Sequence, residues 1–170
     1  MSSQDKAIFE VLIRGKIEAV WREITKTGEA QGAIFNMVMH TDGLKPGGQI
    51  RMRTQSGKYT GVVGEILEFD PPRRFAHTFR FTQYQDPPCK VIYELQEEGQ
   101  QVRFRLIVED MPLGTKTAKQ MAQGGTMIVN TLKAIVENGK PPLKIRILYG
   151  FFKAMEPFSP ASTKSEHWPL

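Results

Sequence analysis

The stretch 61-GVVGEILEFDPPRRFAHTFRF-81 contains two runs of alternating residues separated by the tetrapeptide Asp70–Arg73. Alternation with a period of two is the pattern of a strand that has one buried face. Proline has no amide hydrogen to donate to a sheet and fixes its own φ, so Pro71 and Pro72 must end the first strand. The sequence therefore predicts two long antiparallel strands joined by a tight turn.

Alternation of the same kind recurs along much of the chain. It predicts strands at residues 6–15, 49–54, 59–69, 74–82, 89–96 and 101–109. The glycine-rich stretch 26–49 indicates a loop that leaves room for a further short helix and strand. A short helix is predicted at 17–25, where Trp21 has helical spacing with its apolar neighbours and is expected to be a core residue.

A long helix is predicted over residues 115–139, with Thr115 or Thr117 as its N-cap and Gly139 as its C-terminal stop. Its predicted apolar face is formed by Met121, Ile128, Leu132, Ile135 and Val136. A curved antiparallel sheet of six to seven strands, wrapped on this helix, is an α+β fold. One helix cannot fill the concave side of such a sheet, so we expect a hollow between the two.

The composition is typical of a globular domain: 170 residues, 40% hydrophobic and 24% charged. The net charge of +5 comes from scattered basic residues, so nucleic-acid binding is not expected. The stretch 1–6 lacks the apolar run of a signal peptide, and no window approaches a transmembrane segment. The lone Cys89 excludes an internal disulfide, and we expect a cytoplasmic protein.

Four short motifs resemble one family of proteins. They are Ile13 with Val20–Trp21, Leu44–Gly48, Gly64–Phe75 and Leu132–Glu137. The chain is similar to the START-like, or SRPBCC, helix-grip superfamily and, within it, to homologues of the activator of heat-shock-protein-90 ATPase. The resemblance covers about residues 6–140. It implies a helix-grip fold with a hydrophobic cavity and a link to the stress response, but not one function.

Three features depart from the pattern of that family. Gly124 and Gly125 stand where such proteins often carry a tryptophan in the long helix, which removes bulk from the roof of the cavity. The separate N-terminal domain of the family's chaperone activators has no counterpart in this sequence, which argues against chaperone stimulation. Residues 141–170 extend beyond the common domain, so the chain divides into a helix-grip domain at 1–140 and an extension at 141–170.

The predicted binding site is an apolar cavity between the sheet and the long helix. Its predicted lining comprises Phe75, His77, Phe79, Phe81, Val91, Tyr93, Phe104, Leu106, Met121, Gly124, Gly125 and Ile128. Apolar walls with few polar groups are typical of a small-molecule site, and here His77 and Tyr93 are the polar groups. His77 has two interpretations, a contact for the polar end of a ligand or a hydrogen-bonded core histidine, and the second is favoured.

No catalytic residue is predicted, because the sequence contains no nucleophile triad, phosphate loop or dinucleotide fingerprint. His40 and Asp42 have no third ligand at metal spacing, so neither a metal nor a cofactor is expected. The favoured function is a non-catalytic module that binds a small hydrophobic molecule. An enzyme that uses the same pocket, and a chaperone cofactor or protein-interaction domain, are the alternatives.

The extension contains a predicted basic amphipathic helix. Leu143, Ile147, Phe151 and Met155 recur at helical spacing, with three basic residues elsewhere on the helix. Two interpretations are favoured for this apolar surface: docking on its own domain, or a homodimer through the C-terminal extension. Binding to a membrane surface is the alternative.

Overall fold

The computed structural model describes residues 5–170. Residues 1–4, which belong to the stretch where no signal peptide is predicted, lie outside this range. The strands are β1 (Ala7–Arg14), β2 (Ala30–Gln31), β3 (Met37–Thr41), β4 (Gln49–Arg53), β5 (Thr60–Asp70), β6 (Arg74–Phe81), β7 (Cys89–Glu98) and β8 (Gln101–Glu109). The helices are α1 (Ile17–Thr25), α2 (Lys116–Asn138) and α3 (Leu143–Met155), and three short 3-10 turns follow α3.

The strands form one antiparallel sheet in the order β1-β8-β7-β6-β5-β4-β3-β2. The α+β helix-grip prediction is confirmed, but the described residues contain eight strands rather than six to seven. β2 has two residues, which is too short to leave an alternating pattern. The further helix allowed for in 26–49 is absent from that stretch, where a turn ends in left-handed Phe35 (φ 52°) and Asn36 (φ 59°).

The turn at the two prolines joins β5 to β6 as predicted. The amide of Arg73 donates to the carbonyl oxygen of Asp70 at 2.8 Å, and Asp70 pairs with Arg74. β5 carries an irregularity in its pairing between Ile66 and Glu68. This arrangement brings the two backbones close at Gly64, where a Cβ atom would lie 2.0 Å from the carbonyl oxygen of Thr78.

α2 lies across the concave face of the sheet, and its ends have the predicted caps. The hydroxyl of Thr115 accepts a hydrogen bond from the amide of Ala118 at 3.2 Å, and Gly139 takes the left-handed conformation at φ 81°. Gly125, Val129 and Leu132 are buried along the middle of the helix. Val129 was not part of the predicted apolar face, but it is buried in the structure.

The core fills one end of the space beneath α2. Phe75, Phe104 and Leu132 are fully buried there. Trp21 of α1 is half-buried and packs against Phe69 and Phe75, with ring centroids 5.5 Å and 6.4 Å away. Trp21 is therefore a packing residue, as its spacing predicted.

The convex face of the sheet is only partly solvated, although alternating strands with one buried face would leave the other face to solvent. Ala76, Ile92 and Ile107 form a small buried cluster there, on three neighbouring strands. Arginine–glutamate pairs surround it, among them Arg74–Glu68 and Arg105–Glu10, each at 2.5 Å. Opposite charges on this face therefore pair with each other.

The C-terminal extension packs on the same domain. Ile145 and Tyr149 of α3 are buried, and the Tyr149 hydroxyl donates to the carbonyl oxygen of Gly32 at 2.6 Å. The last residues cross the sheet, where the Arg53 guanidinium donates to the Trp168 carbonyl at 2.8 Å. The prediction of which face of this helix docks on the domain was wrong. The stripe that begins at Leu143 and Ile147 is exposed, and the opposite face of α3 docks.

Candidate functional site

A cavity of about 450 Å³ lies between the concave face of the sheet, α2 and the C-terminal extension. Its floor is formed by side chains of β6, β7 and β8, and α2 covers one side. The extension forms a third wall. The lining residues are Ile34, Phe35, Met37, Met52, Thr54, Tyr59, Gly61, Val62, Phe79, Phe81, Gln83, Val91, Tyr93, Leu106, Val108, Gln120, Met121, Gly124, Gly125, Ile128, Phe152, Met155, Glu156, Ser159, Pro160 and Thr163.

Nine of the twelve residues expected around a cavity lie on its wall, namely Phe79, Phe81, Val91, Tyr93, Leu106, Met121, Gly124, Gly125 and Ile128. The other three, Phe75, His77 and Phe104, are not lining residues. β6 runs from the filled end of the core to the cavity. The alternation of residues along a strand predicts which face of the sheet a side chain occupies. It does not predict whether that part of the face borders the filled core or the cavity.

His77 lies in the solid part of the core. Only 7% of the residue is exposed, and its ring lies 5.2 Å from that of Phe75 and 5.9 Å from that of Tyr93. Its Nδ1 donates to the carbonyl oxygen of Thr78 at 2.7 Å. Burial lowers the pKa of His77 to about 4, so its imidazole is neutral at physiological pH. These contacts fit the interpretation of a hydrogen-bonded core histidine.

The two glycines of α2 differ in their surroundings. A Cβ atom on Gly125 would lie 2.2 Å from the ring of Phe9, so this glycine makes room for an aromatic side chain of β1. A Cβ atom on Gly124 would meet only the ring of Phe35, at 3.6 Å, an ordinary contact. Only Gly124 therefore leaves space that a side chain could fill. A tryptophan at Gly125 would therefore not fill the cavity with the fold intact, because Phe9 already occupies that position.

Tyr93 is the buried polar group of the cavity. Its ring stacks on Phe104 with centroids 5.9 Å apart, and only 6% of the residue is exposed. Within residues 5–170 its hydroxyl has no hydrogen-bond partner. The hydroxyl oxygen is not fully buried, so it remains accessible from the cavity. Burial raises the pKa of this phenol well above its usual range, so the hydroxyl is neutral and able both to donate and to accept.

Several other polar groups on the cavity wall are bonded to the protein. The Thr54 hydroxyl donates to the Glu156 carboxylate at 2.8 Å, and the Gln120 amide donates to the Tyr84 hydroxyl at 2.8 Å. The hydroxyls of Ser159 and Thr163 donate to nearby backbone carbonyls. Tyr93 is thus the buried lining residue with a free hydrogen-bonding group in the part of the chain that the structure describes.

The third wall was not predicted from the sequence. Phe152, Met155 and Pro160 border the cavity, but sequence reasoning assigned the extension to a region of its own. In the sequence, Phe152 is one more apolar residue of the predicted helix in the extension. Phe152 is far in sequence from β6 and β7. No local sequence pattern therefore predicted that the chain returns to the cavity at this residue.

Groups with reactive chemistry lie away from the cavity or are inert. Cys89 is buried, and burial raises the pKa of its thiol to about 11, which leaves little nucleophilic thiolate. Among residues 5–170 no three metal-ligating side chains come together. Across the same residues, no helix has the length and apolar character needed to cross a membrane.

Solved structures with this fold include proteins of several kinds. CalU16 from Micromonospora echinospora has a TM-score of 0.61 at 20% identity, over 86% of this chain and 82% of its own. An HSP90 activator from Plasmodium falciparum has a TM-score of 0.60 at 16% identity, over 80% and 97%. The Aha1 dimer from Colwellia psychrerythraea has a TM-score of 0.63 at 14% identity, over 79% and 98%.

These identities establish a common fold and no shared activity. No curated protein matches the chain. The family model described as "Activator of Hsp90 ATPase homolog 1-like protein" matches residues 7–137, which include all eight strands of the described residues and all of α2 except its last residue. Because that match spans most of the chain, the protein belongs to the activator of Hsp90 ATPase homolog 1-like family.

Proposed function

We propose that this protein binds a small, mostly apolar molecule in the cavity beneath α2 without converting it chemically. The cavity itself carries the proposal. Its volume of about 450 Å³ falls within the usual range of small-molecule sites, and most of its lining is aliphatic or aromatic. Side chains in protein interiors normally pack densely, so a cavity of this size is unusual for a domain whose interior has only a structural role.

The lining also indicates the chemical class of the ligand. The lining residues within the described range 5–170 include no lysine, arginine or histidine, so they offer no counter-charge to a carboxylate or phosphate. The free hydroxyl of Tyr93 suits one neutral polar group, such as a ketone or an alcohol. A bound ketone or alcohol would gain a hydrogen bond from this hydroxyl, which faces the cavity without a protein partner among residues 5–170.

A binding module is favoured over an enzyme by the shortage of titratable groups. General acid–base catalysis requires a side chain whose pKa lies near the working pH. The raised pKa of Tyr93 keeps it protonated, and His77 is outside the cavity. The carboxylate of Glu156 is held by the hydroxyls of Thr54 and Ser56.

Fluorescence titration with the neutral apolar probe N-phenyl-1-naphthylamine tests the proposal. Gly124→Leu directs a side chain into the cavity and should weaken probe binding at least tenfold without loss of the fold. Gly150→Leu is the matched control, because Gly150 lies on α3 with open space around it and outside the cavity lining. Equal probe affinity in wild type and Gly124→Leu would refute binding in this cavity.

The role of Tyr93 is tested with two ligands of similar shape, 2-acetylnaphthalene and 2-ethylnaphthalene, which differ in one carbonyl group. Each would be measured by displacement of the probe. Tyr93→Phe should weaken binding of the ketone by about two- to tenfold, the value of one hydrogen bond, and leave the hydrocarbon unchanged. A parallel loss for both ligands would contradict a hydrogen bond at this residue.

Chaperone-cofactor activity is the second candidate, favoured by family membership. A steady-state ATPase assay with a heat-shock protein 90 distinguishes the two functions. Stimulation that the Gly124→Leu variant retains would assign the function to the protein surface rather than to the cavity.

A further inference from the structure

The outward face of α3 is the largest concentration of exposed apolar side chains among the described residues. Six of the ten large apolar side chains that are exposed fall within residues 143–158. Leu143, Ile147 and Phe151 follow one another at intervals of four residues, with exposures of 63%, 65% and 59%. We refer to these three residues as the outer ridge. It lies opposite Ile145 and Tyr149, which dock on the domain.

Basic side chains lie on both sides of the outer ridge. By helical position Lys144 is on one side, and Arg146 and Lys153 are on the other. All three are exposed, and none is paired with a carboxylate in the range 5–170. The helix itself contains no aspartate or glutamate. Glu156, just after its end, is bonded to Thr54 and Ser56.

We propose that α3 binds the surface of an anionic lipid bilayer, with the outer ridge inserted among the acyl chains and its flanking cations at the lipid headgroups. An apolar stripe between lysine and arginine side chains is the pattern of a helix that lies in the membrane interface. With 13 residues, α3 lies on the bilayer and does not span it.

The charges favour a bilayer over a second copy of the chain. In a symmetric dimer through the outer ridge, the same patch meets itself. Lys144, Arg146 and Lys153 of one copy would then face the same cations of the other, with no acidic residue of α3 between them. Like charges in contact are unfavourable, whereas anionic headgroups neutralise each cation.

The position of α3 connects this surface to the cavity. Phe152 and Met155 are exposed members of the same helix and also line the cavity. A bilayer in contact with the outer ridge would therefore lie near the wall of the cavity that α3 contributes. The membrane proposal does not depend on any ligand, because it rests on the ridge and its charges alone.

Vesicle flotation with the full chain tests the proposal, using phosphatidylcholine vesicles with and without phosphatidylserine. Wild type should float with the anionic vesicles, remain unbound with the neutral ones and dissociate as salt rises. Ile147→Glu/Phe151→Glu should lower the partition coefficient at least tenfold. The control Ile8→Glu/Leu113→Glu adds the same two charges at residues that are 57% and 52% exposed elsewhere, and it should bind more than the ridge variant.

Removal of the cations gives a second readout. Lys144→Gln/Arg146→Gln/Lys153→Gln should weaken binding about fivefold for each charge removed. The triple variant Lys45→Gln/Lys58→Gln/Lys119→Gln, with the same net charge, should bind more tightly than the α3 triple. The proposal is overturned if the wild-type protein does not bind anionic vesicles, or if the two triple variants bind them with equal affinity. A wild-type dimer in light scattering that Ile147→Glu/Phe151→Glu converts to monomer would also overturn it, because a second copy would then cover the ridge.

Discussion

Gly124 and Gly125 are adjacent in sequence but have opposite structural roles. Gly124→Ala should stabilise the protein by up to about 1 kcal/mol, because alanine is the better helix former and its Cβ atom meets Phe35 at 3.6 Å. Gly125→Ala should destabilise it, because the Phe9 ring, 2.2 Å from the new atom, must move out of a packed core. Urea unfolding of the two variants measures the difference. Equal effects would contradict the assigned packing of Phe9.

His77 should make stability depend on pH between about 4 and 6.5. Burial lowers its folded pKa to about 4, below the unfolded value of 6.5, so the folded protein binds fewer protons in this window. The free energy of unfolding therefore falls as pH falls through the window, by roughly 3 kcal/mol in total. Urea unfolding at a series of pH values should show this slope in wild type.

The control for this prediction is His77→Gln, which cannot titrate. Carboxylates also contribute to acid sensitivity, including Glu137, whose pKa is lowered to about 2 by the Lys133 ammonium and by the amide of Arg14. Only the difference between wild type and variant isolates His77. Identical slopes in the two proteins would show that His77 is not buried as a neutral ring.

At the scale of the element, α1 depends on packing for its stability. Nine residues are too few for a stable isolated helix, and Lys16 at the N-cap makes no side-chain capping bond. Trp21→Ala should therefore cost about 2–3 kcal/mol in unfolding free energy, less than for a fully buried tryptophan because one edge is exposed. Glu18→Ala, on the exposed side of the same helix, should change it by about 0.5 kcal/mol or less. Wild-type stability in Trp21→Ala would contradict its contacts with Phe69 and Phe75.

At the scale of the whole molecule, the extension completes the domain. Truncation after Gly139 removes the docking residues Ile145 and Tyr149 and one wall of the cavity. The shortened protein should melt at a lower temperature, tend to aggregate and lose affinity for N-phenyl-1-naphthylamine. Differential scanning fluorimetry, light scattering and the probe titration measure the three effects.

Tyr149→Phe is the control for the truncation. It removes only the hydrogen bond to the Gly32 carbonyl and should cost about 1 kcal/mol. A truncated protein that is monomeric and as stable as wild type would show that the extension docks only weakly.

The sequence by itself determined the elements and the faces they present. Alternation along β6 assigned Phe75, Phe79 and Phe81 to the inner face, and Thr115 with Gly139 marked the ends of α2, because these signals act between residues close in the chain. Nine of the twelve residues expected around a cavity lie on its wall for the same reason.

Only the tertiary structure decided where that inner face is solid and where it is hollow. Phe9 fills the space at Gly125, Trp21 packs against Phe75 at the filled end of the core, and His77 is not a lining residue of the cavity. The extension returns across the chain to the β4–β5 hairpin, where Arg53 holds the Trp168 carbonyl. These features depend on how side-chain volumes fit together and on contacts between residues far apart in the chain. A local pattern of residues contains no information about either.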